Sequence, residues 1–406
     1  MLEMNRPNIR FKNDSGTEYP LYSLTSFSEV LSIERGSSPR PIQKYLTNDA
    51  DGLNWIKIGD APVNGTRITA VKEKIKKSGL SKTRFVKKGD LILSNSMSFG
   101  RPYLLAVDGC IHDGWLLIRN SRNKFIVEFL LYLLSSPNIL RQYKSLAGAG
   151  VVTNLNKELV SKVILAIPSL EEQQKIASFF STLDQKIELN ERKLEALEKL
   201  KKGVMQKIFN REIRFKKNGE DFPKWNKVKI QEMGEIRTGT TPKNNQEGVY
   251  GGPHYWVTPT DIKSKEIYQT NKTLTDSGLQ SGRVIPANSV LVTCIASIGK
   301  NAILRRKGSC NQQINAITPN QNFNVDFVYY AITHAEPILH RLAGQGGMEI
   351  INKRDFSEVE LFVPCLEEQN AIAAFLSSLD RKIQISSERI NNLNSLKQGF
   401  MQQMFV

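Results

Sequence analysis

The chain has 406 residues, which is too long for a single compact hydrophobic core, so two or more domains are expected. Its 56 lysine and arginine residues outnumber 40 acidic residues and give a formal net charge of +16. This charge is spread over both halves of the chain, which excludes a basic tail as its source. It favours a folded protein that contacts nucleic acid, with simple solubility as the competing interpretation.

The four cysteines predict reduced, buried thiols and therefore an intracellular protein. They are Cys110, Cys294, Cys310 and Cys365. None belongs to a Cys-x-x-Cys pair, and no histidine lies at metal-ligand spacing from them. The first residues do not form a signal peptide, and no stretch approaches the roughly 20 apolar residues of a membrane span. We expect a soluble, cytoplasmic protein that contacts no membrane.

Paired motifs divide the chain into two equivalent halves. They are Ile-Arg-Phe-Lys at 9–12 and 213–216, Gly-x-x-Pro at 36–39 and 239–242, and a long motif, Pro-x-Leu-Glu-Glu-Gln-x-x-Ile-Ala-x-Phe-x-Ser-x-Leu-Asp-x-Lys-Ile, that begins at Pro168 and at Pro364. Between these motifs the two halves differ strongly. The pattern indicates one scaffold used twice, with divergent surfaces.

Strands bounded by turns, and helices with nearly continuous apolar residues, predict an α+β domain in each half. The predicted strands are 90–94, 103–107 and 290–293, and the predicted buried helices are 126–134 and 325–332. We predict a long helix after each domain, because a proline and two glutamates are typical of a helix start. The predicted order is a globular domain at 1–167, a helix at 168–210, a linker and second domain at 211–363, and a helix at 364–406.

Both long helices carry apolar residues at alternating gaps of three and four, the spacing of a coiled-coil seam. The seam residues are Leu183, Ile187, Asn190, Leu194, Leu197 and Lys201 in the first helix, and Leu379, Ile383, Ser386, Ile390, Leu393 and Lys397 in the second. We expect an antiparallel pair whose polar seam residues fix the register. The expected pairs are Asn190 with Lys397, Lys201 with Ser386, and Ile187 with Phe400. The alternative is the same helix pair slipped by one heptad.

No motif in the sequence supports catalysis. The chain has no Gly-x-x-x-x-Gly-Lys-Ser/Thr phosphate loop and no Asn-Pro-Pro-aromatic motif for methylation of base amino groups. His334 and His340 lie six residues apart and favour local structure over a metal site. The glycine pairs at 148–150 and 344–346 predict turns or, equally, points of approach to a DNA backbone. We predict no catalytic residue, metal site or cofactor in this chain.

The two long-helix motifs, each after a globular domain with a Gly-x-x-Pro loop, resemble the specificity subunit of type I restriction–modification enzymes over essentially the whole chain. The resemblance implies an α+β protein with two pseudo-two-fold-related target recognition domains, separated by an antiparallel coiled coil of two long helices. Each domain would read one half of a split, asymmetric sequence in double-stranded DNA.

The same resemblance implies the partners. The helix pair would set the gap between the half-sites and dock two methyltransferase subunits, which in turn recruit two restriction and translocase subunits. The specificity chain would be non-catalytic. S-adenosylmethionine, ATP and Mg would be used by the other subunits.

Polar and basic residues near the glycine turns are the predicted DNA contacts, since they could reach phosphates and base edges. They are Ser37, Ser38, Arg40, Lys44, Asn95, Ser98 and Arg101 in the first domain, and Thr240, Thr241, Lys243, Asn244, Lys300 and Asn301 in the second. For each residue an ordinary solvated loop is the competing interpretation. Trp55 and Trp256 are predicted to lie in the domain cores rather than to stack on bases.

The sequence is also compatible with two other functions. A stand-alone DNA-binding regulator would bind duplex DNA without a methyltransferase partner. A self-contained nuclease or methyltransferase would cut or methylate DNA alone, which the missing motifs disfavour. Copurification with a methyltransferase, and activity of the isolated chain, would separate the three functions.

Overall fold

The computed structural model describes residues 6–63, 65–95, 100–147, 155–242, 248–344 and 349–406. The chain forms two compact units: unit 1 contains residues 1–192 and 387–406, and unit 2 contains residues 193–386. The first long helix spans Leu170–Phe209 and the second spans Leu366–Met404, so each contributes a segment to both units. Helices and sheets are mixed in both units, which confirms the predicted α+β class.

Unit 1 combines sheets with a small group of helices. One sheet has the strand order Leu46–Thr47, Lys74–Ile75, Leu53–Ile56, Gly109–Ile111 and Arg84–Val86, and another has the order Ser32–Arg35, Trp115–Arg119, Leu91–Ser94, Pro102–Leu105 and Arg67–Ile68. Ser23–Ser26 pairs antiparallel with Ile164–Ile167. The α-helices besides the long ones are Phe27–Val30, Val127–Leu134, Pro137–Ala147 and Lys157–Ser161, and the 3-10 helices are Ile42–Lys44, Ile58–Asp60 and Lys77–Lys82. Leu93 and Leu116 of the second sheet share a buried core with Phe129 and Leu133. The predicted strands 90–94 and 103–107 and the predicted helix 126–134 are confirmed.

Unit 2 has the same plan, with fewer strands in its two larger sheets. One sheet has the strand order Gly234–Thr238, Ile314–Pro319, Ser289–Thr293 and Asn301–Leu304, and another has the order Lys272–Leu274, Tyr250–Val257 and Gly308–Cys310. Asn226–Lys229 pairs with Glu360–Val363, and Lys216–Lys217 pairs with Glu220–Asp221. The α-helices besides the long ones are Ile230–Met233, Asp276–Ser281, Val325–His334, Glu336–Ala343 and Lys353–Ser357, with a 3-10 helix at Pro259–Asp261. The predicted strand 290–293 and helix 325–332 are confirmed.

The Leu-Glu-Glu-Gln repeat anchors the start of the first long helix to unit 1. Fully buried Glu172 accepts hydrogen bonds from Nε of Arg10 at 3.1 Å and from Nη2 of Arg10 at 2.7 Å. The next residue, Gln173, accepts from the Ile126 N–H at 2.9 Å and donates to the Lys124 carbonyl at 3.1 Å. A buried carboxylate is tolerable only when it is paired in this way, so the arginine of the Ile-Arg-Phe-Lys motif and the glutamate of the helix motif form one structural element.

Unit 2 has the same anchor. Glu368, whose side chain is fully buried, accepts from Nε of Arg214 at 3.1 Å, from Nη2 of Arg214 at 2.6 Å and from Nε1 of Trp225 at 3.1 Å. Gln369 accepts from the Asn324 N–H at 3.0 Å. The two repeated motifs therefore have the same physical role in both halves of the chain.

Within each unit the two helix segments run antiparallel, but the register differs from the expected one. In unit 1, Lys397 forms an ion pair with Asp184 at 2.6 Å and does not pair with Asn190. The ring of Phe400 packs on Phe179, with 4.9 Å between the centroids. In a coil that placed Asn190 opposite Lys397, these contacts would be about two helical turns out of reach.

Unit 2 gives the same correction. Lys201 forms an ion pair with Asp380 at 2.5 Å, rather than facing Ser386. The expected register is therefore wrong, and the alternative, slipped by one heptad, agrees with the ion pairs of both units. It places Lys397 opposite Leu183 and Lys201 opposite Leu379.

Burial along the helices follows the heptad spacing. Each of the twelve seam residues named above is buried or half-buried, whereas most flanking positions are exposed. Ser386 is buried, and Asn190 is half-buried and donates to a carbonyl of its own helix at 2.7 Å. The spacing therefore identifies the buried face of each helix, even though it does not identify the register.

Candidate nucleic-acid interface

The glycine of each Gly-x-x-Pro turn is enclosed by the protein's own backbone. A Cβ atom at Gly36 would lie 2.1 Å from the carbonyl oxygen of His112, and one at Gly239 would lie 2.1 Å from the carbonyl oxygen of Asn311. No side chain fits at such distances. These glycines bring each turn close to the neighbouring turn of its own unit.

In unit 1, three of the predicted DNA contacts meet around Asp113, which the sequence analysis did not select. The Ser38 hydroxyl donates to Oδ1 of Asp113 at 2.9 Å, and Nη2 of Arg40 lies 3.4 Å from Oδ2. Nδ2 of Asn95 donates to the Asp113 carbonyl oxygen at 2.8 Å. The turn at 112–114 therefore joins the loop after Gly36 to the end of the strand Leu91–Ser94.

The charges at this turn are set by their neighbours. Burial opposes ionisation of Asp113, but the Ser38 hydrogen bond, followed by His112 and Arg40, holds the pKa of this carboxyl below its ordinary value. Burial lowers the pKa of His112, and Nδ1 of this ring accepts from the Gly114 N–H at 2.8 Å. Near neutral pH the turn presents a carboxylate beside a neutral imidazole and an exposed guanidinium.

Unit 2 builds the same link with different chemistry. The Thr241 hydroxyl, which is equivalent to that of Ser38, donates to Oε1 of Gln312, which occupies the position of Asp113. Oγ1 of Thr240 accepts from the Arg283 N–H at 2.9 Å, and the Thr240 carbonyl accepts from Nε1 of Trp256 at 3.2 Å. A neutral amide, both donor and acceptor, thus replaces the carboxylate of unit 1.

The remaining predicted contacts are exposed, internally bonded or both. Lys44 and Lys300 are exposed, and so is Ser37, whose hydroxyl also donates to the Lys82 carbonyl oxygen at 3.1 Å. The guanidinium of Arg101 donates to two backbone carbonyls at 2.8 and 2.9 Å, and Nδ2 of Asn301 donates to another at 2.8 Å. These bonds favour a structural role for the last two. Ser98, Lys243 and Asn244 lie outside the described residues.

Asp113 and Gln312 escaped the sequence analysis because neither lies in a repeated motif. Alignment of the two halves at 109–114 and 308–313 would have placed them at equivalent positions with different side chains. Trp55 and Trp256, by contrast, are 2% and 6% exposed, as predicted for core residues.

A polar cavity of about 510 Å³ adjoins the turn of unit 1. Its lining includes Arg35, Asn95, Asp113 and Lys157. Cationic and amide side chains around a concave surface can contact both phosphates and base edges. Among the described residues no group of three or more histidine, cysteine, aspartate or glutamate side chains could hold a metal ion. In the same part of the chain, no helix is both long and apolar enough to cross a bilayer.

Comparison with known proteins identifies the family. A family model described as the type I restriction modification DNA specificity domain matches residues 23–199 and 223–395. The MjaX specificity subunit named for a type I restriction enzyme of Methanocaldococcus jannaschii is 27% identical over 374 residues, covering 85% of this chain and 83% of that protein. The HindI specificity subunit of Haemophilus influenzae is 23% identical over 392 residues, covering 77% of this chain and 85% of that protein.

The fold agrees with this assignment. The crystal structure of the type I restriction–modification S subunit from M. genitalium superposes with a TM-score of 0.61 at 13% identity, covering 98% of this chain and 99% of that one. Specificity subunits are the DNA-recognition components of type I systems and are not catalytic. With both halves matched by the family model, the chain belongs to the type I restriction–modification DNA specificity family.

Proposed function

We propose that this specificity protein reads a two-part, asymmetric sequence in double-stranded DNA, with unit 1 reading one half-site and unit 2 the other. The observation that carries the proposal is the equivalent link in the two units, from Ser38 to Asp113 and from Thr241 to Gln312. The scaffold is the same, but the side chain offered at the turn is not. Two identical half-sites would not need this difference.

The chemistry of the two turns suggests what each one reads. An ionised Asp113 can only accept hydrogen bonds, which suits the amino group of cytosine in the major groove. Gln312 can donate and accept together, which suits adenine. The guanidinium of Arg40, 81% exposed beside Asp113, has free donors for guanine or for a phosphate. The net charge of +16 supports phosphate binding that does not depend on sequence.

The repeated outer surface at the start of each long helix supports docking of two copies of one partner. Phe11 packs edge-on against Phe179 with 5.8 Å between ring centroids, and Phe215 packs in the same way against Phe375 at 5.7 Å. In unit 1 this pair lines a groove of about 460 Å³ that also includes Leu183. We propose that two methyltransferase subunits bind these surfaces and recruit two restriction and translocase subunits. S-adenosylmethionine, ATP and Mg would then be bound by those partners.

Methylation sequencing of host DNA, with and without this gene, tests the proposal. We expect one methylated motif with two unlike parts and a fixed gap, which disappears when the gene is deleted. Replacing the globular part of one unit should change only the matching half-site. Methylation that does not depend on the gene, or a single continuous motif, would contradict the proposal. DNA binding without a copurifying methyltransferase would instead favour a stand-alone regulator.

A further inference from the structure

A lysine, an aspartate and a tyrosine meet at the helix pair in unit 1. Nζ of Lys397 lies 2.6 Å from Oδ1 of Asp184, and the Tyr132 hydroxyl donates to Oδ2 of the same carboxylate at 2.8 Å. The ammonium also lies 5.6 Å from the centroid of the Tyr132 ring. Burial, with a contribution from Asp184, raises the pKa of Tyr132, so the phenol stays a hydrogen-bond donor. We call these three residues the unit 1 triad.

Unit 2 contains the same arrangement, here called the unit 2 triad. Nζ of Lys201 lies 2.5 Å from Oδ1 of Asp380, the Tyr330 hydroxyl donates to Oδ2 of Asp380, and Lys201 lies 5.7 Å from the Tyr330 ring centroid. Lys265 of the globular part adds a hydrogen bond to the Tyr330 hydroxyl at 2.9 Å. The residues of the two triads occupy equivalent positions in the two halves of the chain, so the arrangement is a property of the duplicated scaffold.

Each triad joins three separate elements. The aspartate belongs to the long helix that begins in that unit, the lysine belongs to the long helix that begins in the other unit, and the tyrosine belongs to a helix of the globular part, Val127–Leu134 or Val325–His334. The lysine and aspartate side chains are only 22–30% exposed, so solvent screens these pairs less than it screens a surface ion pair. A triad therefore relates a recognition domain to both helices at once.

An apolar seam with a seven-residue repeat cannot define its own register. If one helix slides by seven residues, most leucines and isoleucines in the middle of the seam again face apolar residues. The same slide takes Lys397 from Asp184 to the vicinity of Asn190, and leaves both the carboxylate and the ammonium half-buried without their partner. Along the seam, the two registers differ in whether Lys397 and Lys201 reach the aspartates that flank it.

We infer that the two triads are register locks that hold the helix pair, and each recognition domain on it, in one alignment. Because both helices continue through both units, a slip in either unit is a slip of the whole pair. The extension to DNA rests on the proposed function. In that case, the triads keep the gap between the half-sites at a single length. Their residues are positioning residues, since they act through the alignment of the helices.

Disulfide trapping in the full chain tests the lock without any assumption about function. The register of the ion pairs places Ile187 opposite Leu393. A slide of seven residues away from it, to the register first expected from the sequence, would place Leu194 opposite Leu393. Ile187→Cys with Leu393→Cys should cross-link under mild oxidation at least about tenfold faster than Leu194→Cys with Leu393→Cys, because a disulfide needs closely spaced Cα atoms. If the second pair cross-links as fast as the first, the inference fails.

The same two cysteine pairs are then measured in a chain without the locks. Lys397→Met, Lys201→Met, Asp184→Asn and Asp380→Asn remove both ion pairs, yet keep side-chain volume and an acceptor for each tyrosine. We expect the cross-linking preference to fall by roughly tenfold or more, since only the ionic part of the register is removed. Unchanged helical circular dichroism shows that the quadruple variant is folded.

Lys199→Met with Lys382→Met is the matched control, because it removes one exposed lysine from each long helix. This control should keep the wild-type preference. Should the quadruple variant keep it as well, the triads do not set the register. Should the control lose it too, the effect comes from removing lysines from the long helices in general, and the inference is equally overturned.

The gap is tested on the complex with its methyltransferase partner. Duplexes carry both half-sites, with the gap varied one base pair at a time. The wild type should methylate one gap length, and the quadruple variant should methylate neighbouring lengths with at least tenfold poorer discrimination, in the range of one lost ion pair per unit. If the cross-linking shows that the quadruple variant has slipped but the variant still methylates one gap length, the extension to DNA is overturned. If the wild type methylates no two-part site, the proposed function fails, while the cross-linking result still decides the lock.

Discussion

Removal of Arg214 should destabilise unit 2 far more than removal of an exposed arginine. The Glu368 carboxylate has no exposed surface, and Arg214 supplies two of its three hydrogen bonds, at 3.1 and 2.6 Å. Arg214→Ala leaves a buried charge for which the Trp225 indole is the only remaining side-chain donor among the described residues. Breaking a buried ion pair in this way costs about 3–5 kcal/mol, which is a large share of the roughly 5–15 kcal/mol that stabilises a domain.

The chain supplies its own control. Arg6 also makes a two-pronged ion pair, with Glu18 at 3.2 Å, but these side chains are 61% and 58% exposed. Arg6→Ala should therefore cost about 0–1 kcal/mol. The double variant Arg214→Met with Glu368→Gln should recover most of the loss, because no buried charge then remains.

Urea unfolding followed by tryptophan fluorescence measures the free energies, and hydrogen exchange by mass spectrometry locates the change. Exchange should rise in peptides around 213–232 and 364–376 before it rises in their unit 1 equivalents, since cooperative units open separately. The reasoning is refuted if Arg214→Ala shifts stability no more than Arg6→Ala. It is also refuted if the double variant is as unstable as Arg214→Ala alone.

Further predictions concern the turns and one histidine. Gly36→Ala and Gly239→Ala should each destabilise their unit by about 1–3 kcal/mol, read by thermal unfolding, because the added methyl collides with a backbone carbonyl; unchanged melting would contradict this. Asp113→Asn should change the methylated sequence at one half-site only and Gln312→Glu at the other, as seen by methylation sequencing; a change in both halves would contradict it. Burial lowers the pKa of His334 below 6.5, so its contribution to stability is present above that pH and is lost as pH falls. His334→Gln should then flatten the stability of unit 2 between about pH 7.5 and 5.5, and an unchanged pH slope would argue against it.

The long helices could be predicted from the sequence because the signals that specify them are local. The prolines, the paired glutamates and the apolar spacing each act within a few residues, and they predicted which face of each helix is buried. The register was not local. Its ion pairs involve Asp184 and Asp380, which flank the seam and so are missed when only seam positions are matched. A seven-residue repeat has several alignments of similar apolar burial along the seam, and the spacing does not indicate which charges would meet.

The candidate site was predictable in part for the same reason. The turns after Gly36 and Gly239 could be found from their repeated spacing, but their partners could not. Ser38 and Asp113 are 75 residues apart in sequence, and Thr241 and Gln312 are 71 apart. Such contacts depend on which strands become neighbours, which the local pattern does not specify. The glycines could likewise be found from their spacing, but a glycine pattern alone does not reveal which backbone comes close.

Comparison of the two halves separates the side chains that hold the fold from those that vary at the turn tips. Several side chains that are identical in both halves are bound to other parts of their own unit: they include the buried glutamates and glutamines of the helix motif, their arginine partners, the turn glycines and the triad tyrosines. At the turn tips the halves differ, with His112 and Asp113 in one and Asn311 and Gln312 in the other. The scaffold holds each turn tip through backbone contacts and through one hydrogen bond from the hydroxyl of Ser38 or Thr241. Either an aspartate or a glutamine can accept this hydrogen bond. A new side chain at this position can therefore alter what is recognised while the contacts that hold the fold stay in place.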